Sequence, residues 1–218
     1  MRKSIIKEGI LILITLLPLL ALAFYYEKLP QSVPIHFNLE GEADNWADKS
    51  NLFYIFGGIN LLLYFLLLIV PKIDPKGKIK QMGNKYFLIR LVVMLLISAL
   101  WLVMLYTAHE GSISSIKFFP LIIVLFVIIF GNYMQSMKPN YFVGIRTPWS
   151  LEDEYNWKAT HRFGGRLWMI GGVLILIAMV FLPAKYHMQL SLLGTLLLAL
   201  IPAGYSYWIF SRQKKNAN

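Results

Sequence analysis

Residues 137–166 read MKPNYFVGIRTPWSLEDEYNWKATHRFGGR, and they stand out in a chain that is otherwise apolar runs and short connections. The stretch is polar and aromatic, with turn formers at Pro139, Gly144 and Pro148. Its charges are grouped: Glu152, Asp153 and Glu154 stand together, and Lys158, Arg162 and Arg166 follow at helical spacing. Ser150, three residues ahead of Asp153, reads as a helix N-cap with an acidic first turn, where carboxylates meet the positive end of the helix dipole. The pattern predicts a structured turn over residues 140–149, then a short helix to about His161 or Arg162. Gly164 and Gly165 are expected to break or hinge it before the next apolar run.

Outward from this stretch, composition sets the class. The chain is 57% hydrophobic and 15% charged, with a mean hydropathy of +0.59. The apolar residues come in blocks, and six are long enough to cross a bilayer: 9–26, 52–70, 86–107, 118–134, 167–183 and 190–210. A spanning helix needs about 20 apolar residues, with about 17 as the lower limit. No block carries a charge near its middle, and Arg90 falls at the start of the third. The expected fold is an all-α membrane protein with six transmembrane helices. Three parts follow from the spacing: a two-helix unit over 1–70, a basic connection with the third helix and a short outer loop over 71–117, and a C-terminal unit over 118–218.

The net charge of +10 is explained by topology rather than by nucleic acid. Of the 21 Lys and Arg, the alternate loops hold only Lys28, Lys49, Lys117 and Lys185. All the others lie in the N-terminus, the 71–90 connection, the 135–166 loop or the tail. Under the positive-inside rule both termini and the 135–166 loop are cytoplasmic, and 27–51 faces outward. The outward side also carries Glu27, Glu40, Glu42, Asp44, Asp48 and Glu110. Direct nucleic-acid binding is therefore not expected, and membrane lipids are.

The basic start, the apolar run and Ala21-Leu22-Ala23 resemble a secretory signal. The run continues to Tyr26, however, so an uncleaved first helix is the expectation, kinked at Pro18. In the outer loop, Leu29-Pro30 and Val33-Pro34 hold the backbone extended. Asn38 to Gly41 makes a turn, and Ser50 is placed to cap the second helix. His36 with Asp44 and Asp48 is a thin metal-ligand set, with a single His and no Cys nearby, so no metal is expected. The bland alternative is that His36 and Asn38 hydrogen-bond within the loop. The second helix is expected to end at Pro71, and the connection after it reads as a topology determinant lying against anionic headgroups.

Within the membrane, Asn60 is the one strongly polar side chain well inside a span, and an interhelical hydrogen bond is its expected role. Ion-coupled carriers place an ionisable group at mid-depth, and the sequence offers none. Nor does one half repeat in the other. Gly171, Gly172 and Gly194 allow close helix approach in a C-terminal hairpin. Trp149 and Trp157 read as interfacial anchors. Glu154 and Lys158 form an ordinary i,i+4 pair. His161 and the three acids do not make a catalytic set, because no activated nucleophile, metalloprotease motif or phosphate-cradling loop accompanies them. No enzyme activity and no cofactor is expected.

The run Asn140, Gly144, Ile145, Arg146, Thr147, Pro148, Trp149, followed by Trp157 and Arg162, resembles the signature of the SdpI family. The outer loop, with Leu29-Pro30, Pro34, His36, Gly41, Asp44 and Lys49, resembles an uncharacterised domain often joined to the front of SdpI proteins. The resemblance implies a multi-pass immunity protein of the bacterial cell membrane, protecting its own cell from a secreted cannibalism toxin, the sporulation-delaying protein. It also implies a second partner, a small winged-helix repressor held at the inner face. On that reading His36, Asn38, Gly41, Asp44 and Lys49 are toxin-facing candidates. Asn140, Gly144, Arg146, Thr147, Pro148, Trp149, Trp157 and Arg162 are candidates for the cytoplasmic partner. A transporter of small molecules or peptides, and a membrane scaffold without a ligand, stand as alternatives.

Overall fold

The structure, a computed structural model, describes residues 2–110 and 117–217. Among these, six long helices and one short one carry the fold: α1 (Arg2–Tyr25), α2 (Leu52–Ile73), α3 (Asn84–Glu110), α4 (Phe118–Met134), α5 (Pro148–Glu152), α6 (Glu154–Phe181) and α7 (His187–Ala217). Five of the long helices are apolar and long enough to cross a membrane. The sixth, α4, has 17 residues, which at 1.5 Å per residue is about 25 Å against a hydrocarbon core of about 30 Å. Leu20, Leu62, Val180 and Phe181 stand exposed on the helix exteriors, apolar surface that lipid covers. This is an all-α, multi-pass membrane protein.

The helices pack as two groups of three. One is α1, α2 and α3; the other is α4, α6 and α7; and α3 meets α4 between them. Polar side chains staple each group. Asn60, fully buried, donates to Thr15 O at 3.1 Å and accepts from Trp101 Nε1 at 3.1 Å, tying α2 to α1 and α3. That is the interhelical role its position predicts. In the second group Trp168 Nε1 donates to Leu198 O at 2.7 Å. Gly171, Gly172 and Gly194 face Leu198, Ile128 and Ile175 so closely that no Cβ fits.

One buried charge escaped the sequence. Arg90, in the second turn of α3, donates to both carboxylate oxygens of Glu8 at 2.6 and 3.0 Å, and Tyr64 Oη donates to the same group at 3.2 Å. The pair links α1, α2 and α3 near the basic end, and its bidentate geometry is what a buried pair needs to offset desolvation.

The same contacts orient the bundle. Lys7 reaches Asn84, Lys138 reaches Gln81, and Gln213 reaches Asp153. The N-terminus, the 74–83 connection, the 135–153 loop and the end of α7 thus share one end. The other end carries a two-stranded hairpin, β1 (Ser32–Phe37) with β2 (Ala43–Asp48), where extended backbone and a turn were expected. The strands pair antiparallel with irregularities around Pro34 and His36, as a residue lacking an N–H donor requires. Val33, Leu29 and Phe37 seat the hairpin on Leu22, Leu52, Met104, Leu105 and Phe119.

Several local expectations are corrected. Helix α2 runs through Pro71 to Ile73. Asp48, not Ser50, caps the turn that leads into it. Helix α6 is continuous through Gly164 and Gly165, and those glycines act by packing. A Cβ on Gly165 would lie 2.6 Å from Gly131 O and 2.5 Å from Gln135 Cγ of α4.

Candidate functional site

The loop between α4 and α6 folds around three buried side chains. Asn140 is inaccessible to solvent. Its amide donates to Lys138 O (2.8 Å) and Val143 O (3.0 Å), and its oxygen accepts from the Phe142 and Val143 N–H groups (2.8 and 2.7 Å). All its hydrogen-bonding capacity closes the turn, as Asn does when it replaces backbone partners. Trp157 is equally buried, donating from Nε1 to Met137 O at 2.9 Å. It is a core residue, not the interfacial anchor expected, because α6 begins at Glu154 and turns that face inward onto Met134 and Met137.

His161 stacks on Trp157 at 3.9 Å and is used at both ring nitrogens. Ile145 N–H donates to Nε2 at 3.0 Å, so the proton sits on Nδ1, which donates to Trp157 O at 2.8 Å. This contact explains Gly144. Its φ is +114°, and a Cβ there would lie only 2.3 Å from His161 Nε2. Only glycine satisfies both demands.

Caps fix the two short segments that follow. Thr147, not Ser150, caps α5: its hydroxyl accepts from Ser150 N–H, and Ser150 Oγ accepts from Thr147 N–H. Pro148 takes the first helical position, where its missing N–H is harmless. Asp153 caps α6, accepting from Tyr155 and Asn156 N–H. Thr147 Oγ1 lies 2.7 Å from Ser206 Oγ on α7, and Ser206 donates to Asn156 Oδ1 at 2.7 Å. Trp149 packs against Tyr207 and Phe210. The loop is thereby bound to both C-terminal helices.

The 74–83 connection forms the opposite wall, beyond the headgroup contact expected of it. Ile79 and Met82 are buried in the cluster that holds Trp157 and Met137. Lys76 Nζ donates to Leu151 O at 2.6 Å and lies over the Tyr141 ring. Arg146 is exposed and donates to Tyr141 O at 2.8 Å. Arg162 points away from the loop interior and lines a separate groove with Lys78, Lys138 and Lys158. Seven of the eight inner candidates are thus brought together, with Arg162 beside them. Among the described residues the one buried side-chain polar atom without a partner is Thr195 Oγ1, outside this loop.

The outer candidates share the hairpin. His36 Nδ1 lies 2.5 Å from Asp44 Oδ1, and the two side chains are 66% and 43% exposed. Asn38 Oδ1 accepts from the Glu40 and Glu42 N–H groups (3.1 and 2.8 Å), and Gly41 completes the turn at φ +80°. Lys49 Nζ donates to Tyr26 O and Leu29 O, fastening the hairpin base to the end of α1. Asp48 accepts from Ser50 Oγ, Ser50 N–H and Gln31, which together hold its carboxyl below the usual range. His109 stays against Tyr25 and His187 bonds Leu182 O; among the described residues no three His or acidic groups converge as a metal set.

Sequence reasoning took Ser150 only as a cap and passed over Asn156, Thr160 and Ser206. The Asn156 and Thr160 pair, at i,i+4 spacing, was the available signal for a polar seam. Glu8, just before the first apolar run, and Arg90, just inside the third, were the signal for the ion pair.

These features define a class: a multi-pass protein of the cell membrane with a closed polar loop at its basic end and a small hairpin at the other. Residues 136–206 match the SdpI/YfhL protein family, and residues 13–61 match a domain of unknown function, DUF1648. The chain is 28% identical over 214 residues to "Immunity protein SdpI" of Bacillus subtilis (strain 168), covering 97% of this chain and 98% of the relative. No solved structure matches it.

Proposed function

We propose that this protein is a membrane immunity protein, protecting the cell that makes it from a secreted antimicrobial peptide. The observation that carries the reading is similarity to an immunity protein along 97% of the chain, which includes both patterned loops. The proposed topology has six spans, with both termini and the 135–153 loop inside and the hairpin outside. Its support is the gathering of the basic segments at one end, which the positive-inside rule assigns to the cytoplasm. On this reading the exposed groups of the hairpin, His36, Asp44 and Trp46, meet the peptide. The inner loop acts by keeping its shape rather than by chemistry, since both nitrogens of His161 are engaged.

A finer part of the proposal gives the inner face a cytoplasmic partner, a small repressor held at the membrane while peptide is bound. Exposed Arg146 and Tyr141 offer it a basic and aromatic surface. Peptide at one end would alter the other only through its preference for one helix arrangement.

The test is survival of a toxin-sensitive strain expressing the chain and challenged with the sporulation-delaying peptide. Wild type is expected to protect, and His36→Ala to lose protection at unchanged membrane abundance. Abundant, folded protein without protection would reject immunity to this peptide. For the repressor, Arg146→Ala is expected to release a fluorescent repressor from the membrane while protection remains.

A further inference from the structure

At the basic end, beside the folded loop, a groove of about 400 Å³ opens between the end of α4 and the start of α6. Lys78, Lys138, Lys158 and Arg162 line it against a single acid, Glu154, with Gln135 beside them. Lys158 pairs with Glu154 at 2.8 Å, and Lys138 donates to Gln81 at 3.2 Å. Among the described residues the Lys78 and Arg162 side chains make no hydrogen bond or ion pair. Four cations drawn from three separate segments repel one another, and their convergence around one acid leaves a net positive hollow shaped for an anion.

What lies below the groove selects the anion. Arg166, Met169 and Val173 continue the Arg162 face of α6 at helical spacing. Gln135 Nε2 reaches Met169 Sδ at 3.5 Å, so this face borders the α4–α6 seam. Arg166 is exposed, and farther along Val173 and Ile170 are 45% and 63% exposed. Charge at the helix start thus gives way, on one continuous surface, to apolar side chains over the span. A soluble acidic protein would use only the upper part. A phospholipid uses both, with its phosphate among the cations and its acyl chains along α6.

We infer that this groove is a binding site for the phosphodiester headgroup of an anionic phospholipid, with Arg162 and Lys78 as the main phosphate ligands. Arginine matches phosphate in a bidentate manner, and lysine adds a point charge. Juxtamembrane cations of this kind discriminate anionic from zwitterionic lipid.

The experiment uses the full chain purified in detergent, with bound lipid counted by native mass spectrometry. Phosphatidylglycerol is expected to be retained about tenfold over phosphatidylethanolamine, and each groove charge removed should lower retention about fivefold. Arg162→Gln combined with Lys78→Gln should abolish the preference, Arg162→Lys should keep most of it, and Lys85→Gln, at an exposed lysine outside the groove, should change nothing. Thermal unfolding of each variant without added lipid separates lost binding from lost fold. Equal retention of the two lipids, or an unchanged preference in a folded double variant, would overturn the proposal. Glycerol phosphate binding as tightly as the lipid would assign the site to a soluble phosphate, and displacement of lipid by an acidic peptide would assign it to a protein. Either result overturns the lipid assignment.

Discussion

The hairpin at one end and the loop at the other are built from the same residue types, and they spend them differently. Each has a histidine, an asparagine that closes a turn, and a glycine at positive φ. In the inner loop His161, Asn140 and Trp157 are buried, and every polar atom of the histidine is bonded within the protein. In the hairpin His36 keeps 66% of its side chain exposed, and Trp46 is 52% exposed. The inner loop is a joint: α4, α6, α7 and the 74–83 connection all hold it. The hairpin is a platform, seated on its lower face and open above. Residues that look alike in the two motifs therefore call for opposite readings, and substitution is the way to test them.

Gly144→Ala should have the largest effect. The positive φ is strained for alanine, and its Cβ meets His161 Nε2, so the cost is about 3 kcal/mol or more. The expected outcome is a large fall in thermal stability in detergent and low membrane abundance. Gly41→Ala, at φ +80° in the hairpin turn, should cost only about 1 kcal/mol and leave the bundle intact. Equal losses would mean that the hairpin is as much a part of the frame as the loop.

Asn140→Ala comes next. It strips partners from two carbonyls and two N–H groups inside a closed turn, at about 2–3 kcal/mol. Asn38→Ala removes a similar pair of turn bonds, but water can replace them at the hairpin tip, and about 1 kcal/mol is expected. Chemical denaturation of the two variants side by side measures the difference.

The contrast was partly legible in the chain. The apolar blocks, the turn over residues 140–149 and the bonding role of Asn60 follow from local pattern, and the structure keeps them. What depended on distant partners did not follow. Thr147 and Asp153 took the capping roles assigned to Ser150, because Ser206 and Gln213 on α7 fix where each segment starts. Gly164 and Gly165 are helix breakers by propensity, yet close contact with α4 and the loop makes the absence of a side chain the requirement. Trp157 was misread because an aromatic near a span end is ambiguous until the facing wall, Ile79 and Met82, is known. The Glu8–Arg90 pair joins residues 82 positions apart, and only the packing of α1 on α3 discloses it.

A smaller effect is expected from pH at the hairpin base. Asp48 has a lowered carboxyl pKa because Ser50 and Gln31 donate to its charged form. The sign follows: its contribution is full above the ordinary carboxylate range and is lost as pH falls through the lowered value. Protection of the Ser50 amide from exchange, relative to its intrinsic rate, should hold from neutral pH into that range and fall below it. Asp48→Asn should abolish the transition. The effect should stay local, since the hairpin's apolar seat on Leu22 and Leu105 carries no charge.

The smallest effect on stability, and the most informative, is expected at His36. Among the described residues its one side-chain polar contact is Asp44, and both side chains are exposed, so His36→Ala should change the unfolding free energy by no more than about 0.5 kcal/mol. A nearly silent substitution is what makes the residue useful, because any loss of protection then reports a contact and not a damaged frame. His161→Ala offers the reverse case: protection should fall there only as far as folded protein falls. Measuring protection per folded molecule for both separates a platform that meets a ligand from a joint that holds its shape. If His36→Ala lowers thermal stability as much as His161→Ala does, the hairpin histidine is structural, and the proposed peptide contact moves to Trp46 or the acidic turn.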